Sequence, residues 1–221
     1  MSIRTAAWIA GAVVLASLAA GILALVQIPD GRLVATHFDA AGRPNGWMPA
    51  SVAFFIMPAV GALMWVVQVL APRVTPRGEN LQKSSAAYGT IWIVATLFVA
   101  LGQGLIVASA LGHPVEIEGL FPVLTGLVFV LVGNVLPKLR WNYVVGVRTP
   151  WTLADERVWD RTHRFGGVVM VAGGMVLIAG AMAVPVAVQP ALILGVGTLV
   201  AALTVGKSYL AWRELARPRS R

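Results

Sequence analysis

Residues 86–111 read AAYGTIWIVATLFVALGQGLIVASAL, a stretch without a single Asp, Glu, Lys or Arg. A helix of this length spans the hydrocarbon layer of a bilayer, roughly 30 Å thick, and the apolar residues run on without the two-residue alternation of a barrel strand. Similar runs recur through the chain, which is 58% hydrophobic with a mean hydropathy of +0.80. Six spans are expected: Ala6–Ile28, Ala50–Ala71, Ala86–Leu111, Leu120–Leu136, Gly166–Val188 and Ala191–Trp212. In lipid each backbone polar group must find its partner inside the segment, so the fold class is an all-α integral membrane bundle. The first run is read as a retained span, because its apolar core exceeds the roughly 7–15 residues of a signal peptide.

Basic residues set the orientation, since loops that stay in the cytoplasm keep their Lys and Arg. With the N-terminus inside, 15 of the 17 Lys and Arg fall on inner segments and only Arg32 and Arg43 outside. Both termini are therefore expected in the cytoplasm, with the protein multi-pass in a bacterial plasma membrane. The net charge of +8 describes a surface facing anionic lipid and calls for no direct nucleic acid. The absence of Cys excludes disulfides and thiolate chemistry.

Two loops exceed what a helix connection needs. The outer one, PDGRLVATHFDAAGRPNGWMP, follows the first span; its bends at Gly42, Pro44 and Gly46 suit turns. His37 and Asp39 form a metal-ligand pair only with a third ligand from elsewhere, so no metal is expected. The inner one lies in GNVLPKLRWNYVVGVRTPWTLADERVWDRTHRFGG, residues 133–167. Here Thr152 is read as the N-cap of a short interfacial amphipathic helix over Leu153–Arg164, with Trp141, Trp151 and Trp159 at the headgroup boundary. Glu156, Asp160 and His163 share one side of that helix, the arrangement of a proton-handling pair or of a plain surface helix. Arg148, set among turn residues and rings, suits a lipid phosphate, a carboxylate or a stack on Trp151. Asn134 and Gln103 read as interhelical glue. In the fifth span glycines recur at 166, 173 and 180, and again at 167 and 174, which lets a helix approach closely. No Asp, Glu, Arg or His lies deep in any span and Lys207 is near enough to an end to snorkel, which argues against ion-coupled transport.

The inner segment resembles the SdpI family of bacterial membrane proteins. The matching residues are Gly133, Asn134, Leu136, Pro137 and Lys138, then Asn142, then Gly146, Arg148, Thr149, Pro150, Trp151, Thr152 and Leu153, and finally Glu156, Val158, Trp159, Thr162, His163, Arg164 and Gly167. The outer loop is similar to the short domain often found at the N-terminus of these proteins, through His37, Phe38, Gly42, Pro44, Asn45 and Trp47. The resemblance implies an immunity protein that protects the membrane from a secreted peptide toxin by binding, with membrane lipids and that peptide as partners. It implies a toxin-binding surface at His37, Phe38, Asp39, Pro44, Asn45 and Trp47, and it extends to a cytoplasmic repressor as a partner of the inner face. No cofactor is expected. The expected organisation is a helical hairpin over 1–72, a middle span with its loops over 73–119 and an SdpI-like module over 120–221.

Two other classes compete with binding. A small transporter or lipid-handling protein would use the neighbourhood of Asn134, Arg148 and Glu156; an intramembrane enzyme would use His163 and Glu156. No HExxH, GxSxG, P-loop or paired intramembrane Asp is present, so the chain is not expected to be an enzyme.

Overall fold

A computed structural model of the chain describes residues 1–38, 43–113 and 120–216, with the side chain of Phe38 outside the description. Among the described residues six helices are long and apolar enough to cross a membrane, beginning at Ile3, Ala50, Ser85, Leu120, Glu156 and Val186. They are built on α1 (Ile3–Val26), α2 (Ala50–Val74), α4 (Ser85–Ala110), α5 (Leu120–Val135), α7 (Glu156–Ala183) and α8 (Gln189–Ala216), with short helices α3 (Gly78–Lys83) and α6 (Pro150–Ala154) between them. The multi-span all-α architecture expected from hydropathy is the one found.

The spans pack as two trios. Helices α1, α2 and α4 contact one another, as α7 does with α5 and α8, and α4 meets α5 across the join. In the second trio the glycines of α7 serve two faces. A Cβ on Gly126 would stand 2.6 Å from the carbonyl oxygen of Gly174, and one on Gly133 would stand 2.9 Å from that of Gly167. The reversed order of these pairs marks α5 and α7 as antiparallel, with their backbones close enough that only Gly fits. The other set faces α8: Gly166 lies against Thr204, Gly173 against Val200 and Gly180 against Leu192. The two glycine series therefore divide between two partner helices.

Two apolar clusters hold the ends. Near one end Ala24, Ile28, Val34, Ala50, Phe54 and Ile106 join α1, α2 and α4; near the other Ala87, Val135, Leu136, Leu139 and Trp159 join α4, α5 and α7. Buried amides reinforce the first trio: Gln103 Nε2 donates to the Phe54 carbonyl at 2.9 Å, and the Tyr88 hydroxyl donates to the Gln68 carbonyl at 2.8 Å. Gln103 is thus the interhelical link the sequence suggested. Asn134 is not: it is exposed, and its side chain makes no hydrogen bond among the described residues.

The loop after α1 holds a hairpin, β1 (Leu33–Phe38) paired antiparallel with β2 (Pro44–Pro49). LVATHF has the β-branched alternation of a strand, and the two prolines sit at the ends of β2, where the ladder loses least. A hydrogen bond from the Ala50 amide to the Arg32 carbonyl, 2.9 Å, closes the base.

Around residue 155 the structure departs from expectation. Thr149, not Thr152, caps α6, and Asp155 caps α7, taking the Arg157 amide at 2.8 Å. The segment expected as a separate interfacial helix is split: its first residues close α6, and from Glu156 onward it is the first turns of a helix that continues through the fifth span to Ala183. A fixed cap followed by an unbroken run with no Pro gives the helix no reason to stop at the membrane boundary.

Candidate functional site

Two surfaces carry the residues singled out in the sequence. On the hairpin, Val34 is buried in the cluster with Phe54 and Ile106, and Met48 opposite it packs on the same cluster. Strand alternation then turns Leu33 and Trp47 to the other face, where they are 59% and 56% exposed. Trp47 stands opposite Ala35, whose small side chain leaves the indole uncovered. Pro44 and Asn45 are exposed at the start of β2, and His37 is exposed with Thr36 Oγ1 at 3.4 Å from its Nδ1. The register shifts on either side of His37, a bulge that re-aims its side chain. Asp39 lies outside the described residues; among the described residues no group of His, Asp and Glu is placed to hold a metal.

At the other end, the segment 139–163 folds around buried polar anchors. Asn142 is fully buried; its Oδ1 accepts the amides of Val144 and Val145 at 2.8 and 2.9 Å while its Nδ2 donates to the Arg140 carbonyl at 2.8 Å. One side chain thus completes a turn that has no regular structure of its own. His163 pins the next bend. Its Nδ1 lies 2.8 Å from the Trp159 carbonyl and its Nε2 accepts the Val147 amide at 3.0 Å, which requires the neutral ring with the proton on Nδ1. Trp159 stacks on the imidazole with centroids 3.8 Å apart and donates from Nε1 to the Leu139 carbonyl at 2.9 Å. Gly146 passes over both rings at φ 114, and a Cβ there would collide with His163 Nε2.

Thr149 and Thr152 form a reciprocal capping box, and Thr152 Oγ1 also donates to the Val147 carbonyl at 2.7 Å. Thr149 Oγ1 reaches Ser208 on α8 at 3.0 Å. Pro150 opens α6 as its first residue, and Trp151 meets Tyr209 edge to face at 5.2 Å. Two residues from the first half of the chain enter from α3. Arg77 places its guanidinium carbon 3.3 Å above the Trp141 ring and 4.8 Å from that of Tyr143, and Asn80 donates to the Trp141 carbonyl at 2.8 Å. Neither was marked by sequence, where a charged, Pro-flanked loop reads as solvated; only the adjacent Gly78 hints at a backbone that comes close to something else.

The exposed members of the motif are Asn134, Pro137, Lys138, Gly146, Arg148, Pro150, Glu156 and Arg164. Arg148 donates to the Tyr143 carbonyl at 3.1 Å and is not stacked on Trp151. Trp159 is fully buried, so its ring packs on protein and is not exposed to headgroups. Burial likewise separates His163 from the exposed Glu156 and Asp160, and both of its ring nitrogens are engaged by backbone, so the proton-handling pair, one of the two arrangements the sequence left open, is not formed. No hydrogen bond or ion pair joins Asn134, Arg148 and Glu156 among the described residues. Arg157 beside Asp155, at 2.7 Å, holds that carboxyl below its ordinary range.

This buried network and exposed basic rim coincide with a known sequence pattern. Residues 138–208 match the SdpI/YfhL protein family. Residues 12–62, from mid-α1 through the hairpin to mid-α2, match a domain of unknown function, DUF1648. Among characterised proteins the chain is similar to Immunity protein SdpI of Bacillus subtilis (strain 168), 24% identical over 132 residues, which is 60% of this chain and 61% of that protein. No solved structure matches. The SdpI-family segment runs from Lys138 to Ser208, so it contains every hydrogen-bonded anchor of the loop, from Asn142 to the Thr149–Ser208 contact, while Arg77 and Asn80 reach it from outside.

Proposed function

We propose that this membrane protein is an SdpI-like immunity protein of the bacterial plasma membrane, oriented with the basic end in the cytoplasm, that intercepts a membrane-active peptide toxin on its outer hairpin. The observation that carries this reading is the geometry of Trp47. An indole more than half exposed, on a strand whose opposite face is locked into a helix-end cluster, is a rigid apolar anchor of the kind that dominates peptide recognition. Leu33 extends the same face, and a two-stranded sheet offers free edges to an extended segment of the toxin. His37, Pro44 and Asn45 are exposed on the same hairpin, and the sequence adds Phe38 and Asp39 to the proposed surface. The similarity to a protein named for immunity supports the same reading. The exposed Lys138, Arg148 and Arg164 form the cytoplasmic face on which an acidic partner such as a repressor would dock.

The test is the membrane potential of a sensitive bacterium challenged with a purified killing peptide of the kind associated with the family. Cells making the protein retain their potential, cells making Trp47→Ala lose it, and the variant inserts and unfolds as the parent does. Equal collapse with and without the parent protein, across the range of peptide that kills, overturns the proposal.

A further inference from the structure

We propose that the groove between α1 and α2 binds one phospholipid molecule with an anionic headgroup. The groove encloses about 1040 Å³, at the top of the roughly 300–1,000 Å³ of ready-made small-molecule pockets. It runs along α1 from Ser2 to Leu18, about 24 Å of helix at 1.5 Å per residue, more than the roughly 15 Å depth of one leaflet. Its walls are apolar, with Trp8, Leu15, Leu18, Ala62 and Val69. Trp65 makes the floor: its Nε1 donates to the Ala7 carbonyl at 2.8 Å, over Gly11, where a Cβ would lie 3.0 Å from the same nitrogen.

The polar groups are confined to one end, where Arg4 and Arg73 stand with Ser2, Gln82 and Ser85. Neither arginine forms a salt bridge among the described residues. Arg73 places one Nη1 bond on the Val69 carbonyl at 2.6 Å, which fixes the guanidinium while leaving its other donors open. A long apolar trough ending in two unneutralised guanidinium groups has the polarity of a single amphiphile: acyl chain along the trough, phosphate at the arginines. The charged end lies at the Lys/Arg-rich end of the bundle, where an anionic leaflet is expected to meet it. Trp8, 70% exposed, borders the groove and reports on its contents.

The experiment reconstitutes the full chain into phosphatidylcholine vesicles containing a small fraction of either phosphatidylglycerol or phosphatidylcholine brominated on the acyl chains. Contact quenching is read as the difference between the parent protein and Trp8→Phe. The proposal expects this Trp8 fraction to be quenched several-fold more by the brominated phosphatidylglycerol. The preference disappears in Arg4→Gln/Arg73→Gln. It also disappears in Ala12→Phe, which fills the trough and leaves both arginines in place; helical circular dichroism confirms that each variant folds. Equal quenching by the two lipids overturns the site, as does a preference that survives Ala12→Phe, which would mark a general basic surface. Quenching that falls with protein density, whichever lipid is present, would place a second copy of the chain in the groove and overturns it too.

Discussion

Gly146→Ala tests whether the SdpI-family loop is built around His163. Gly146 lies at φ 114, where a side chain is strained whatever space surrounds it, and such strain costs about 1–3 kcal/mol. Space is absent as well. The new Cβ would meet His163 Nε2 at a distance no carbon tolerates and would stand 3.0 and 3.2 Å from the edge of the Trp159 ring. His163 is fixed from both sides by the Trp159 carbonyl and the stacked indole, so the loop backbone must lift and the Val147 amide loses its acceptor. An unpaired amide adds about 1–3 kcal/mol, for a combined loss of about 2–6 kcal/mol. Unfolding in dodecyl maltoside by increasing fractions of dodecyl sulfate, followed by ellipticity, measures it. A double-mutant cycle isolates the collision with the imidazole: in a His163→Ala background, Gly146→Ala should cost the backbone part, about 1–3 kcal/mol, with the tight contact to the Trp159 edge left in place. Histidine labelled with nitrogen-15 provides a second reading, since the parent ring should show a protonated Nδ1 and an accepting Nε2, and in the Ala variant Nε2 should lose its donor. An unfolding midpoint within about 0.5 kcal/mol of the parent, with the histidine resonances unmoved, would refute the account.

Further outcomes follow from other contacts. Gly167→Ala should destabilise by about 1–3 kcal/mol in the same assay, because its Cβ would stand 2.7 Å from the Gly133 carbonyl, whereas Gly197→Ala, with nothing within 4 Å, should be neutral or slightly stabilising. Thr152→Val removes a hydroxyl that donates to the Val147 carbonyl and accepts the Thr149 amide; a loss of about 2–3 kcal/mol is expected, with faster hydrogen exchange confined to residues 147–154. Asp155 contributes a charged cap whose carboxyl is held below its unfolded value by Arg157, so its stabilisation is complete above the unfolded value of about 3.8 and fades as the pH falls through the lower folded one. Asp155→Asn keeps a cap without the charge, so it should flatten that acid limb of the unfolding midpoint against pH by lowering the neutral-pH stability toward the acid value.

The six spans were legible because transfer of an apolar run into lipid depends on local composition alone. Span boundaries were legible only where composition changes with the fold. The fifth span was read from Gly166, yet its helix starts at Glu156: the first turns carry Glu156, Arg157, Asp160, Arg161 and Arg164, which lower local hydropathy without ending the helix. The hairpin was read as a turn-rich loop because Gly42, Pro44 and Gly46 suit bends, and Pro44 and Pro49 fit β2 only because they lie where pairing begins and stops. The motif of the inner loop was visible as a cluster of Asn, Thr, Trp and His, but the division of labour within it was not. Trp159 and His163 look amphipathic in sequence and are buried because Gly146 lets the backbone fold over them from a distance in the chain. Gln68, fully buried in the last third of α2, escaped notice while Gln103 did not, since only packing tells which polar residue of a span turns inward.

The contacts from α3 bear on how the two halves of the chain communicate. The hairpin and the groove belong to the trio α1, α2 and α4, while the SdpI-family loop belongs to α5, α7 and α8. Between them, the Arg77 guanidinium covers Trp141 and Asn80 holds the Trp141 carbonyl, so the short helix that joins α2 to α4 is clamped to the loop's first ring. Trp141 in turn donates from Nε1 to the Thr152 carbonyl at 2.9 Å, which carries the connection into the capping box and, through Thr149, to Ser208 on α8. A shift of α2 relative to α4 must therefore move Trp141 or break its contacts. If the clamp couples the halves, Arg77→Gln should loosen the loop, seen as faster hydrogen exchange at 144–152, while the glycine-packed α5–α7 pair keeps its protection. Unchanged exchange at 144–152 would mean that the two trios meet without coupling.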